Sequence, residues 1–394
     1  MLNILVIGTG MYSTGRGTDN YGTVLPAISE WQRNNDSSSK IVFVGTNGSH
    51  SVASKKKVDK LSNDTGVKLD VSFSPKSDVI DNLAYKSELK KMPRPACAIV
   101  VVPDHLHFQI VHDCLMNDLP VLVVKPLTPT LKEAKKLITL AENRSLHAVV
   151  EFHKRYDKAN LMIRDKIQSG ILGDLLYCWV EYSQRKSIPT EIFKTWVEKT
   201  SILQYLGVHY IDIVRFATNA IPKRVMALGQ KNWLPTQGLD AFDAIQCVIE
   251  WMAPDGNKFS QTILTNWIDP ESSTAMSDQK IKLVGSNGRF ESDQKERGIK
   301  INLDNKGMEQ PNPYFCYEFG NKAGRKEWRG YGIESITEFL SDIVDINSGR
   351  INLNVLKLER PTFAEALYST AVIEGAHKSL AKNNQWVNLN IETE

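Results

Sequence analysis

The chain opens as a series of short apolar runs set between longer amphipathic stretches. Leu2–Ile7, Ile41–Val44, Ala98–Val102, Pro120–Lys125 and Ala148–Phe152 are brief and nearly free of charge. Runs of this kind read as strands buried on both faces. Between them, Val24–Arg33, Ser51–Thr65, Leu106–Asn117 and Leu131–Arg144 read as helices, the second of them polar and basic. Strands alternating with helices predict a parallel sheet covered on both sides, a doubly wound α/β domain over residues 1–152.

The pattern changes after residue 153. Asp157–Ser169 and Ser201–Phe216 read as helices, and Asp174–Ser183 alternates like an antiparallel strand. Strand-like runs then crowd together at Arg224–Gly229, Ala244–Trp251, Ser260–Trp267, Gln279–Val284 and Gly288–Glu291, with Ser286-Asn287-Gly288 as a hairpin signal. Ile333–Asn347 and Thr362–Lys382 close the chain as helices. This predicts an α+β domain over residues 153–394, built on an open, mostly antiparallel sheet, with its last helices free to pack back on the first domain. Ser37-Ser38-Ser39 reads as a loop.

Composition narrows the function classes. A chain of 394 residues exceeds one ordinary core, so two domains are expected. A formal charge of +3, with Lys55-Lys56-Lys57 as its one basic triple, argues against nucleic acid as a partner. No apolar run reaches membrane-spanning length, and the N-terminus enters a strand without a leader pattern. The five cysteines are scattered, with no C-x-x-C pair, so neither a disulfide framework nor a metal site is indicated. A reducing cytoplasm is the expected compartment.

Candidate chemistry sits at the ends of the predicted strands. Gly8-Thr9-Gly10 follows the first strand, where glycines let a backbone approach a pyrophosphate; a plain strand-to-helix turn would use the same residues. The third glycine of such turns is missing, and Ser13 stands there. The second strand ends in Thr46-Asn47 without the acid that holds a ribose 2′-hydroxyl. With the lysines behind it, that end favours NADP over NAD, although the same lysines could simply solvate a helix. Lys125 lies at the carboxyl edge of a strand, the side on which α/β sheets bind ligands. A desolvated lysine there can polarise an oxygen or share a proton. His209 lies on an apolar helical stripe with Leu206, Ile213 and Phe216, and Asp212 is three residues on. A core histidine would look the same; an acid beside it can also tune it as a base. Trp179, Tyr182, Arg185, Trp233, Trp267 and Asp269 could line a sugar site or pack the sheet.

At this point the chain resembles the Gfo/Idh/MocA oxidoreductases. Gly8-Thr9-Gly10 with Leu25-Pro26-Ala27-Ile28, Val102-Pro103-Asp104-His105-Leu106-His107, Val123-Val124-Lys125-Pro126-Leu127 and Phe152-His153-Lys154-Arg155-Tyr156-Asp157 match its motifs in order. Leu206-Gly207-Val208-His209-Tyr210-Ile211-Asp212 and Gly285-Ser286-Asn287-Gly288-Arg289 continue the match. The resemblance implies a Rossmann domain followed by an open-sheet domain, and hydride transfer between a nicotinamide and a sugar or cyclitol carbon. By the same likeness Lys125 would hold the reacting oxygen and His209 would be the acid/base. Gly8, Thr9, Gly10, Thr46, Asn47, Pro103, His107 and Lys125 would contact the cofactor. Tyr205, Asp212, Arg155 and Trp267 are weaker candidates for contact with a small sugar-type substrate. A homo-oligomer, dimer or tetramer, is expected.

Three departures stand out. Val124 replaces the motif's glutamate, Tyr205 stands where many members carry aspartate, and a long loop, Met11–Tyr21, follows the first turn. They keep two other functions in view: a redox-neutral, glycosidase-like enzyme that retains its nicotinamide, and a non-catalytic nucleotide-binding sensor.

Overall fold

The computed structural model describes residues 2–35, 39–76, 78–305 and 307–391, so Ser37 and Ser38 of the expected serine loop lie outside the described residues. The chain divides into two compact units.

The first unit is built on six parallel strands: β1 (Asn3–Ile7), β2 (Lys40–Val44), β3 (Asp70–Ser74), β4 (Ala96–Val100), β5 (Val121–Val124) and β6 (Ala148–Glu151). Their order is β3-β2-β1-β4-β5-β6, every neighbouring pair being parallel. This is the doubly wound arrangement whose order reverses between β1 and β4, which opens a ligand crevice at the carboxyl ends. β1 and β4 are buried along their whole length, as their unbroken apolar runs require. β3 escapes the sequence pattern because it is the sheet edge: Asp-Val-Ser-Phe-Ser alternates and stays partly exposed. A helix at Ala84–Lys91 was likewise unforeseen.

The domain division differs from a cut at residue 152. The first unit takes residues 1–127, 133–156 and also 314–364; the second takes 128–132, 157–313 and 365–394. The reason is packing. The helix Tyr331–Asn347 sets Ile333, Ile336, Phe339, Leu340 and Ile343 into the same core as Val24, Ile28 and Trp31. Polar ties add direction: Trp31 Nε1 donates to Ser341 Oγ at 3.2 Å, and the Trp328 amide donates to Glu30 Oε1 at 2.8 Å. The helix Tyr331–Asn347 thus belongs to the first unit. The helix Phe363–Ala381 belongs almost wholly to the second unit.

The second unit holds a seven-stranded sheet. Its strands are β7 (Leu175–Arg185), β8 (Ile221–Gln230), β9 (Ala244–Met252), β10 (Lys258–Asp269), β11 (Ser277–Gly285), β12 (Gly288–Asp293) and a short strand Val387–Asn388. The order is β12-β11-β7-β10-β9-β8, with Val387–Asn388 at the edge. Only β7 and β10 pair in parallel; the rest are antiparallel. The β11–β12 hairpin turns at Ser286-Asn287, with Gly285 opposite Gly288. β9 and β10 alternate buried and half-buried positions, so one face is covered. The helices Val208–Thr218 and Phe363–Ala381 lie on it: Gln261 Nε2 donates to Tyr210 O at 3.0 Å, and the Ala227 amide to Ser379 Oγ at 3.0 Å. No described helix is long and apolar enough to cross a membrane.

Candidate active and cofactor site

In the first unit, the candidates Gly8, Thr9, Gly10, Thr46, Asn47, Pro103 and Lys125 follow the carboxyl ends of β1, β2, β4 and β5. They therefore share one edge of the sheet. The two glycines do different jobs there. Gly8 has φ +117°, and a Cβ on it would overlap the main chain at Val101 O. The crowding is imposed by two ladder bonds, Gly8 N to Val44 O at 2.7 Å and Val101 N to Ile7 O at 2.8 Å. Gly10 has φ −80°, and a Cβ there would meet nothing within 4 Å. Gly8 serves the fold, while Gly10 leaves room over the turn. Gly8→Ala should therefore prevent stable folding of the first unit. Gly10→Val should fold and lose most of its nicotinamide affinity; an unchanged cofactor titration would remove the pyrophosphate from this turn.

The residues around the turn fit a dinucleotide. A fully buried Ser13 stands where a third glycine would be. Hydroxyls close the gap, Thr14 Oγ1 lying 3.3 Å from Thr9 O and 3.2 Å from Ser54 Oγ. Asn47 caps the helix Gly48–Thr65, its Oδ1 accepting from the Ser49 amide at 2.9 Å, and Thr46 is exposed. The three lysines behind them do not act together. Lys55 and Lys56 are exposed, whereas Lys57 Nζ donates to Thr18 O and Asn20 O at 2.5 Å each, fastening the loop after the first turn. Arg16 of that loop meets His50 instead, with Nη1 2.5 Å from Nδ1.

Lys125 is half-buried at the end of β5. Burial pushes its amine down to about 7, against the opposing pull of Asp104 and Glu151. Both acids are buried. Glu151 stands in register with Val124 on the neighbouring strand, so a carboxylate sits one strand over from the place where the motif's glutamate is missing. It accepts from Tyr12 OH at 3.0 Å and Ser335 Oγ at 2.8 Å, and His153 Nδ1 lies 2.9 Å away. Burial, and then Glu151, keep the Tyr12 phenol protonated. Sequence reasoning passed over Asp104, Glu151, Arg16 and His50 as site residues. Position at a strand end was the available signal for the two acids.

The other candidates divide. His107 is fully buried, Nδ1 lying 2.7 Å from Pro126 O and Nε2 2.9 Å from Val102 O. Burial lowers its pKa, partly offset by Asp104 and these carbonyls. His107 thereby ties the loop after β4 to the loop after β5. Arg155 is buried, its guanidinium carbon 5.8 Å from the Phe152 ring.

In the second unit, His209 and Asp212 are both buried on the helix Val208–Thr218. The Tyr182 ring lies 6.4 Å from that of His209. The helix does not run unbroken from Ser201 as the periodicity suggests, because Leu203–Gly207 is wound as a π-helix, a feature frequent at functional sites. Tyr205 sits in this wider turn, its ring 4.7 Å from Phe193, 6.2 Å from Trp196 and 6.3 Å from Trp267. Trp267 is fully buried and donates from Nε1 to Gln184 Oε1 at 3.3 Å. Among the described residues, no group of three or more His, Cys, Asp or Glu is arranged to hold a metal.

A strand order that reverses at a glycine turn defines a dinucleotide-binding class of fold. Residues 2–152 match the NAD-binding Rossmann domain of the Gfo/Idh/MocA oxidoreductase family, and residues 161–291 match that family's C-terminal domain. The chain belongs to the Gfo/Idh/MocA family. It is similar to the uncharacterized oxidoreductase YhhX of Escherichia coli, 29% identical over 34% of this chain and 39% of that one. It is also similar to the scyllo-inositol 2-dehydrogenase (NADP(+)) IolW of Bacillus subtilis, 29% identical over 35% of this chain and 38% of that one. The chain thus spans about two fifths of these curated relatives. The crystal structure of scyllo-inositol dehydrogenase from Lactobacillus casei with bound NAD(H) and scyllo-inositol superposes with a TM-score of 0.66, covering 98% of each chain at 12% identity. At that identity the likeness is one of fold.

Proposed function

We propose that this protein is an NAD(P)-dependent dehydrogenase or reductase acting on a CH–OH carbon of a sugar, cyclitol or related small molecule. The observation that carries this reading is Lys125, an amine at the end of β5 held near neutral pKa on the same sheet edge as the glycine turn. When bound, the nicotinamide supplies or accepts the hydride. The chain's own residues do the rest: Lys125 holds the reacting oxygen, and His209 takes or returns its proton. NADP is the preferred form, since β2 ends without an acid, and IolW is named for NADP(+). In a titration of both cofactors NADP should bind about tenfold tighter or better; equal affinity, or a preference for NAD, would overturn the preference.

The test is the absorbance of the reduced nicotinamide band as sugars and cyclitols are added. Stoichiometric cofactor turnover is the expected result. Product formed without net turnover would point to the redox-neutral alternative. We further propose a cytoplasmic homo-oligomer, dimer or tetramer. Five free cysteines suit a reducing compartment, and Tyr177 and Leu228 lie exposed on the sheet of the second unit.

A further inference from the structure

We propose that Arg16 and His50 form the seat of a phosphate monoester on the adenosine ribose of the cofactor, a proposal that rests on the nicotinamide reading above. The seat is assembled from two strand-end loops. Arg16 comes from the loop that follows the short helix Met11–Thr14 after β1, and His50 from the first turn of the helix that follows β2. The end of β2 is where a dinucleotide fold meets the ribose hydroxyls, with an acid for a free 2′-hydroxyl or an arginine for a 2′-phosphate. Here the acid is absent, and the arginine arrives from the other loop.

The electrostatics of the pair ask for an anion. Among the described residues no carboxylate pairs with Arg16, and burial alone moves its pKa, downward. His50 is also pushed down, first by burial and then by the Arg16 charge. The guanidinium is therefore spent on an imidazole acceptor at 2.5 Å, a weak partner for a group that pairs best with carboxylate or phosphate. A phosphate would turn both side chains into donors to its oxygens. The loop is built to hold Arg16 at this place. Gly15 and Gly22 adopt left-handed φ of +67° and +72°. A Cβ on either would run into neighbouring main chain, and Lys57 fastens the carbonyls of Thr18 and Asn20 from the same helix as His50. The lysine run behind β2 thus acts through the loop, and Arg16 supplies the charge.

The test is a titration of the full-length protein and of Arg16→Ala and Arg16→Lys with NADP, NAD and 2′-AMP. Melting curves of each variant confirm the fold. Arg16→Ala should weaken NADP and 2′-AMP by roughly 10- to 100-fold and leave NAD within about twofold. Arg16→Lys should fall between, because it keeps the charge and loses the planar fork. Equal weakening of NAD and NADP would make Arg16 a loop support, and no change in either would remove it from the site; both results overturn the proposal while leaving the cofactor reading intact. A wild-type protein that binds neither dinucleotide overturns that reading, and this seat with it.

Discussion

Lys125→Met should lower turnover by about two to four powers of ten, the usual yield of a positioned proton donor or acceptor, while raising the temperature of unfolding. Both effects come from one cause. The amine is held at about 7 by burial, so folding releases protons that the unfolded chain would keep up to about pH 10.5. Between those pH values the unfolded state binds more protons, and stability rises with pH. The cost of the buried ammonium is thus complete below pH 7 and gone above about 10.5. Methionine removes it, so the gain in melting temperature, roughly 2–5 °C, should be largest at pH 6–7 and vanish toward pH 10.5. In the reducing direction kcat/KM should fall as pH rises through about 7, when the ammonium that donates to the reacting oxygen is lost. Lys125→Arg should abolish that bend. Turnover within tenfold of wild type in Lys125→Met would take the lysine out of the chemistry. An equal gain in stability at all pH values would take it out of the buried site.

His209→Gln should also cost about two to four powers of ten in kcat and leave the Kd for the cofactor nearly unchanged. Glutamine keeps most of the volume and the hydrogen-bonding capacity of the imidazole, so the buried helix should stay in place. It cannot take a proton at neutral pH. The setting suits a tuned base: the ring is buried, Asp212 lies one helical turn on, and the preceding turn is π-wound. Tyr205→Phe is the companion measurement. The Tyr205 ring packs against Phe193, Trp196 and Trp267, and phenylalanine preserves that packing, so less than a tenfold change is expected. A near-normal rate in His209→Gln would make His209 a packing residue. A collapse in Tyr205→Phe would put the phenol in the role expected of the family's aspartate.

Much of the first unit was legible because its central strands are buried on both faces, which writes them as unbroken apolar runs. β1, β4 and β5 are of that kind. β3 was not legible, since an edge strand keeps polar side chains on its wet side. The pairs Ile301–Leu303 with Gly307–Glu309 and Tyr317–Gly320 with Lys326–Arg329 were hidden for the same reason. Lys125 could be placed because a strand end is a local property. The tie between His107 and the carbonyls of Val102 and Pro126 could not, and neither could the meeting of Arg16 with His50, because each joins segments set apart by turns whose geometry no spacing encodes. The π-wound turn before His209 was equally hidden, since its side chains are those of an ordinary helix.

The core that Tyr331–Asn347 completes has a consequence for how the protein comes into being. The glycine turn and its strands leave the ribosome well before the helix that covers Ile28 and Trp31, which is translated only after β7 to β12 of the second sheet. At ordinary elongation rates that is a delay on the order of ten seconds or more. Through that interval the nascent nucleotide-binding half carries an open apolar flank, a surface that chaperones bind and that aggregation exploits. A fragment cut after residue 156 should therefore emerge insoluble, and soluble expression should return when residues 314–364 are supplied in trans.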